Sequence, residues 1–201
     1  MSLRTASRQY WVAIRAMLIF TVVLGVGYTA VITGIGQAAL PAQANGSLVT
    51  VDNETVGSSL IGQRFTDDDG APLPEWFQSR PSAAGDGYDG SASSGSNYGP
   101  ENEDLIAAID DRSSTIVELE GVSPESIPAD ALTASGSGLD PHISPEYAQL
   151  QVARVAEASG VTESEVQALV DSSIQGRALG YLGEPTVNVL ELNIGLAELK
   201  G

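Results

Sequence analysis

With 201 residues the chain has room for one domain of about 150 residues and a little more. It contains no cysteine, which excludes disulfides, thiolate metal sites and a cysteine nucleophile, and its net charge of −17 disfavours nucleic acid as a partner. The charge is unevenly placed: Arg4, Arg8 and Arg15 stand in an opening segment with no acid before Asp52, and all 26 acids lie beyond it.

From Met17 to Ile35 no residue is charged. Counted from Trp11, the stretch would span roughly 37 Å as a helix at about 1.5 Å per residue, enough for a hydrocarbon core of about 30 Å. Ala42-Gln43-Ala44 has the small-x-small spacing of a signal-cleavage site. The apolar run is longer than the roughly 7 to 15 residues of a signal h-region, and Tyr10-Trp11 suit an interfacial anchor, so a retained transmembrane helix is expected. Arginines before the span put residues 1–10 in the cytoplasm, residues 11–35 in the membrane, 36–46 in a connector and 47–201 in an extracytoplasmic domain on the cell surface side. Gly27, Ala30 and Gly34 follow small-residue spacing and would form a shallow face for a neighbouring helix.

Beyond the connector, strands are expected near Leu48 to Val51 and Ser58 to Phe65. Asp67-Asp68-Asp69-Gly70 reads as an acidic turn, because a calcium loop needs ligands at alternate positions and a late glutamate. The Gly- and Ser-rich stretch from Glu75 to Leu105 carries Trp76, Phe77, Tyr88 and Tyr98, which a plain linker would not, and is read as an ordered loop. Asn102 caps a helix that Gly121 ends. Ser144-Pro145 opens another, with Tyr147, Leu150, Val152 and Val155 on its apolar face and Gly160 at its end. Thr162 and Glu165 form a capping box, stapled by Val161 and Val166, for a helix over Glu163 to Ser173, and Asn188 with Glu191 starts a last helix through Leu199. The sum is a small mixed α/β or α+β domain on a single N-terminal transmembrane helix, with roughly four helices and a short sheet.

One stretch, "TASGSGLDPHISPEY" from Thr133, gathers Ser135, Ser137, Asp140 and the single histidine, His142. These are the residue types of an acyl-transfer triad, and a membrane-anchored serine hydrolase is the alternative reading. Residues this close on a turn do not place an imidazole between nucleophile and acid, and the G-x-S-x-G elbow is missing because Ser135 stands where the first glycine belongs. A rigid turn leading into a helix is the expected structure.

"LIGQRF" at Leu60, "QSRPSA" and "SGSNYGP" between Gln78 and Pro100, "TASGSGLDPHISP" at Thr133 and "GRALGYLGEPTVNVLELN" at Gly176 together resemble the C subunit of the Kdp-type potassium-transporting ATPase, the KdpC family. Order and spacing match along nearly the whole chain. The resemblance implies a non-catalytic subunit of a high-affinity potassium-uptake complex, partnered by a channel-like potassium-translocating subunit, a P-type ATPase subunit and a small helical subunit. It also implies a catalytic-chaperone role that raises the ATP affinity of the ATPase subunit, with no cofactor of its own. Family-motif positions expected to be structural or interfacial are Arg80, Pro81, Ser96, Asn97, Gly99, Pro100, Ser135, Gly136, Gly138, Asp140, His142, Gly183 and Asn188. The acidity and the Asp67 to Asp69 turn depart from the usual pattern. No P-loop, aspartyl-phosphate motif or selectivity-filter sequence is present, so neither ATP hydrolysis nor ion conduction is expected of this chain itself.

Overall fold

The computed structural model opens on a long helix whose residues from Met17 to Ile35 carry no charge. The structure describes residues 3–201, with side chains from Ser7 onward; Met1, Ser2 and the side chain of Arg4 lie outside the described residues. Helix α1 (Leu3–Phe20) continues through a π segment (Thr21–Tyr28) into α2 (Thr29–Ala39), and the backbone stays helical at both joints. Ser7–Ala39 is long and apolar enough to cross a membrane, and none of its most apolar window is buried. The π segment contains Gly25 and Gly27, and its widened turns alter the angular phase of α2 relative to α1. Gly27 therefore does not share the α-helical phase that its spacing from Ala30 presumes, whereas Ala30 and Gly34 both lie in α2 and keep it. A short helix α3 (Pro41–Ala44) occupies the expected connector.

The chain divides after Leu48, and Val49–Gly201 forms its own unit. Strand β1 (Leu48–Val51) turns into β2 (Glu54–Ser58) through Asp52 and Asn53, whose φ values of 51° and 67° suit a two-residue hairpin turn matched to strand twist. The second strand is therefore earlier than the expected Ser58 to Phe65, which contributes only an isolated bridge between Ser58 and Ile61. At the acidic turn, Asp67 Oδ1 accepts from the N–H groups of Asp69 at 3.0 Å and Ala71 at 2.8 Å. The carboxylate is used to shape the turn.

The helix starts follow local capping chemistry. Asn102 accepts from the Asp104 and Leu105 N–H groups at the head of α4 (Glu103–Glu120), and Gly121, at φ 67°, ends it. After a 3₁₀ turn (Pro124–Ser126) and α5 (Ala129–Leu132) comes β3 (His142–Ile143). Ser144 caps α6 (Pro145–Leu150), and α7 (Val152–Ser159) follows after Gln151, so the single helix expected up to Gly160 is broken in two. Thr162 and Glu165 complete the capping box of α8 (Glu163–Ser173), after which β4 (Ile174–Gln175), β5 (Thr186–Asn188) and α9 (Val189–Lys200) close the chain. The sheet order is β3-β5-β4, antiparallel, with His142 opposite Asn188 and Ile174 opposite Val187. Phe77, Val155, Val166, Val170, Val187, Leu192 and Leu196 are fully buried between sheet and helices. Each such side chain contributes about 1.5–3 kcal/mol relative to exposure.

Candidate functional site

The quoted motifs, far apart in sequence, are tied together at one place. Arg80 Nη1 donates to Asp140 Oδ2 at 2.9 Å, and Arg80 Nη2 donates to the Thr133 carbonyl at 3.2 Å. Asp140 Oδ1 accepts from the His142 backbone N–H at 3.0 Å and lies 3.5 Å from His142 Nδ1. Tyr88 Oη donates to the Arg80 carbonyl at 2.8 Å. Ser82 Oγ donates to the Gly138 carbonyl at 2.6 Å and accepts from the Tyr88 N–H at 2.8 Å. The Ser94 N–H reaches the Ser137 carbonyl at 2.9 Å. One long loop is thus laced at several points to one turn.

Gly138 is where the lacing is tightest. Its φ is +67°, and a Cβ there would stand 2.6 Å from the Ser94 carbonyl oxygen and 2.7 Å from the Ala84 nitrogen. Only glycine meets both the conformation and the close approach. Burial would raise the Asp140 carboxyl, but hydrogen bonds from His142 and Arg80 outweigh it and hold the group below its ordinary value. Tyr88 is pushed up to about 12, chiefly by burial.

Neither serine is paired with the imidazole. Ser135 Oγ accepts from the Gly138 N–H at 2.8 Å, Ser137 Oγ accepts from the Leu139 N–H at 3.1 Å, and the two hydroxyls lie 3.4 Å apart. Among the described residues, no hydrogen bond joins either hydroxyl to His142. Both serines organise the turn.

The remaining motif residues fall into three places. Asn188 is buried at the end of the central strand: its Nδ2 donates to the Ser59 carbonyl at 2.9 Å and its Oδ1 accepts from the Glu191 N–H at 3.2 Å. Gly136 lies against Gly95, whose added Cβ would be 3.0 Å from the Gly136 carbonyl oxygen. Ser96, Asn97, Gly99 and Pro100 lie exposed on the approach to α4, with Asn97 at φ 54°, and Gly183, at φ 79°, lies exposed between β4 and β5. Pro81 borders a polar hollow of about 360 Å³ with Arg80, Ser82 and Tyr88. A second cleft, of about 520 Å³, is lined by Arg80, Asp130, Asp140, His142, Glu184 and Thr186 among others. Among the described residues, no group of three His, Asp or Glu side chains is placed to hold a metal ion.

A second network escaped sequence reasoning. The extended segment around Phe77 is bonded by side-chain amides as a strand would be by a neighbour. Asn193 accepts from the Phe77 N–H at 2.9 Å and donates to its carbonyl at 3.0 Å; Gln151 does the same for Gln78 at 2.6 and 3.2 Å. Arg154 joins this layer to α4 through Glu120 at 2.9 Å, and donates to the Pro74 and Trp76 carbonyls. Burial raises the Glu120 carboxyl against the opposing pull of Arg154. The available signal was a polar residue standing inside an apolar helical pattern, as Gln151 does before Val152 and Asn193 does between Leu192 and Leu196.

The combination of an apolar N-terminal helix and these laced motifs extends across the chain, and so do its similarities. Residues 10–198 match the family described as KdpC, the K⁺-transporting ATPase c chain. A potassium-transporting ATPase KdpC subunit of Kineococcus radiotolerans is 50% identical over 196 residues, covering 98% of this chain and 96% of its own. The corresponding subunit of Caulobacter vibrioides is 54% identical over 186 residues, covering 92% and 90%, and that of Caldanaerobacter subterraneus is 48% identical over 186 residues, covering 92% of each. With the match running through both the apolar helix and the laced turn, the chain belongs to the KdpC family of potassium-transporting ATPase subunits.

Proposed function

We propose that this chain is a non-catalytic accessory subunit that assembles with, and stabilises, a potassium-translocating subunit, a P-type ATPase subunit and a small helical subunit in an ATP-driven potassium-uptake complex. The observation that carries this reading is the extent of the family match, residues 10–198, which takes in the apolar stretch of the helix and all but the last three residues of the Val49–Gly201 unit. In this reading the helix anchors the chain with Arg4, Arg8 and Arg15 on the cytoplasmic side, and the acidic unit faces outward. ATP is then bound by the ATPase subunit. Any effect of an outward-facing unit on ATP affinity travels through the partner subunits as a coupling free energy, typically about 1–3 kcal/mol.

The geometry supports a structural role for the motif cluster. Arg80, Asp140, Ser82, Ser135 and Tyr88 are committed to backbone groups and to one another, which fixes a surface in place. The test is co-expression of the four subunits, purification through one of the others, and labelling of a cysteine introduced at exposed Glu157 with a membrane-impermeant thiol reagent on intact cells. Co-purification and labelling from outside are expected. A chain that purifies alone, or a Glu157→Cys variant labelled only after lysis, would sink the assembly or the topology respectively.

A further inference from the structure

Between β4 and β5 the chain makes a small hairpin that buries nothing. Ala178 and Leu182 exchange backbone hydrogen bonds at 2.9 Å each, and Arg177 Nη2 pairs with Glu184 at 2.5 Å across the base. The hairpin is held shut, yet at its tip Leu179 is 81% exposed, Tyr181 68% and Leu182 51%. Leu179 also sits at φ 54°, a left-handed conformation that disfavours its Cβ, although Asn or Gly would close the same turn without strain. A closed, strained loop that offers three large apolar side chains to water is explained neither by folding nor by solubility.

We propose that this hairpin tip is a docking knob that inserts into an apolar socket on a fellow subunit of the potassium-transporting complex. The proposal rests on the assembly reading above. Charge selects a protein over a lipid surface. Arg177 is the hairpin's one cation and is paired with Glu184, and the chain carries a net charge of −17 with its acids all beyond the helix. An anionic membrane surface would repel such a unit, since recruitment there uses unpaired Lys and Arg. The base of the knob runs into the cleft where Glu184 and Thr186 meet Arg80, Asp140 and His142. An apolar tip therefore adjoins an acidic-leaning polar rim, which is the anatomy of a protein interface and calls for a socket with a neutral or basic margin.

The experiment uses the full chain co-expressed with its partner subunits. A photoreactive benzophenone side chain replaces Tyr181 or, as a control on another face, Glu163. Irradiation is expected to link position 181, and not position 163, to a fellow subunit. The paired substitution Tyr181→Ser with Leu182→Ser should reduce retention of the chain in the washed complex by about tenfold or more, as for loss of an interface anchor. Its thermal midpoint should stay unchanged because both side chains are exposed. Adducts to lipid or to a second copy of this chain, equal labelling from both positions, or full retention of the paired variant would each overturn the knob while leaving a wild-type complex intact. Failure of the wild-type chain itself to co-purify would overturn the assembly reading, and the knob with it.

Discussion

The apolar helix and the Val49–Gly201 unit solve the problem of buried surface in opposite ways. Along Ser7–Ala39 the side chains of the most apolar window are left uncovered, and the backbone satisfies its own hydrogen bonds by coiling. In Val49–Gly201 large side chains such as Phe77 and Leu192 are covered completely, and irregular backbone is satisfied by side chains reaching in from α9 and from the joint between α6 and α7. The helix is therefore finished only by its surroundings, and the larger unit by itself. Substitutions of the same chemical kind should read out as assembly in the first and as stability in the second.

Glycine gives the widest separation. Gly138→Val should destabilise the Val49–Gly201 unit by about 4 kcal/mol or more, because its φ is +67° and a Cβ would press on Ser94 and Ala84 backbone atoms that cannot yield. At Gly34 an added Cβ meets nothing within 4 Å, so Gly34→Leu should leave the unfolding midpoint unchanged. If the face it shares with Ala30 is a helix interface, the same variant should reduce co-purification of the complex, while Val23→Leu is tolerated. Thermal unfolding and complex recovery, measured on all three, make the comparison. A Gly138→Val chain of wild-type stability would remove the case that the motif turn is held by close backbone approach.

The buried amides come next in size. Asn193→Leu keeps side-chain volume but leaves the Phe77 N–H and carbonyl without partners in the core, which should cost about 2–4 kcal/mol. At roughly 2–4 °C per kcal/mol for a unit of this size, the midpoint should fall by about 4–16 °C. A fall below the lower bound would mean that the extended segment finds other partners and is less tightly held than its geometry suggests.

How far each part could be read from sequence follows the distance over which its cause acts. The caps at Asn102, Ser144, Thr162 and Asn188 are contacts within three residues, and the helices start where those residues stand. The strand expected from Ser58 was displaced because the Asp52-Asn53 turn, rather than the apolar run, sets the hairpin. The turn at Thr133 was legible as a rigid turn from its own glycines and prolines. Its pairing with Arg80, 60 residues away, was not, although both lay inside quoted motifs. Still less legible was the layer at Phe77, held from 73 and 116 residues downstream by amides that periodicity counts only as interruptions. Local chemistry fixes where elements begin, and long-range pairing decides which loops become structure.

The smallest effects separate two carboxylates inside the folded unit, and their signs differ. Asp140 is held below its ordinary value, so its contribution is complete above the unfolded aspartate value of about 3.9 and is lost as pH falls through the lower folded value. Asp140→Asn should cost about 1–2 kcal/mol at neutral pH, discounted for partial exposure, and the difference from wild type should shrink under acid. Glu120 is raised by burial, so the folded state takes up its proton more readily than the unfolded chain. As pH falls from neutral through that raised value toward the unfolded glutamate value of about 4.3, protonation of this group adds stability. Glu120→Gln keeps the shape but leaves the Arg154 guanidinium without its counter-charge, so it should cost about 1–3 kcal/mol at neutral pH, moderated by the Pro74, Trp76 and Gln151 oxygens that Arg154 keeps, and should lose the acid-side gain. Urea unfolding of both variants across that range reads the two signs directly. A Glu120→Gln chain as stable as wild type at neutral pH would show that burial of the carboxylate cancels its pairing with Arg154, and that this layer is held by the amides beside it rather than by charge.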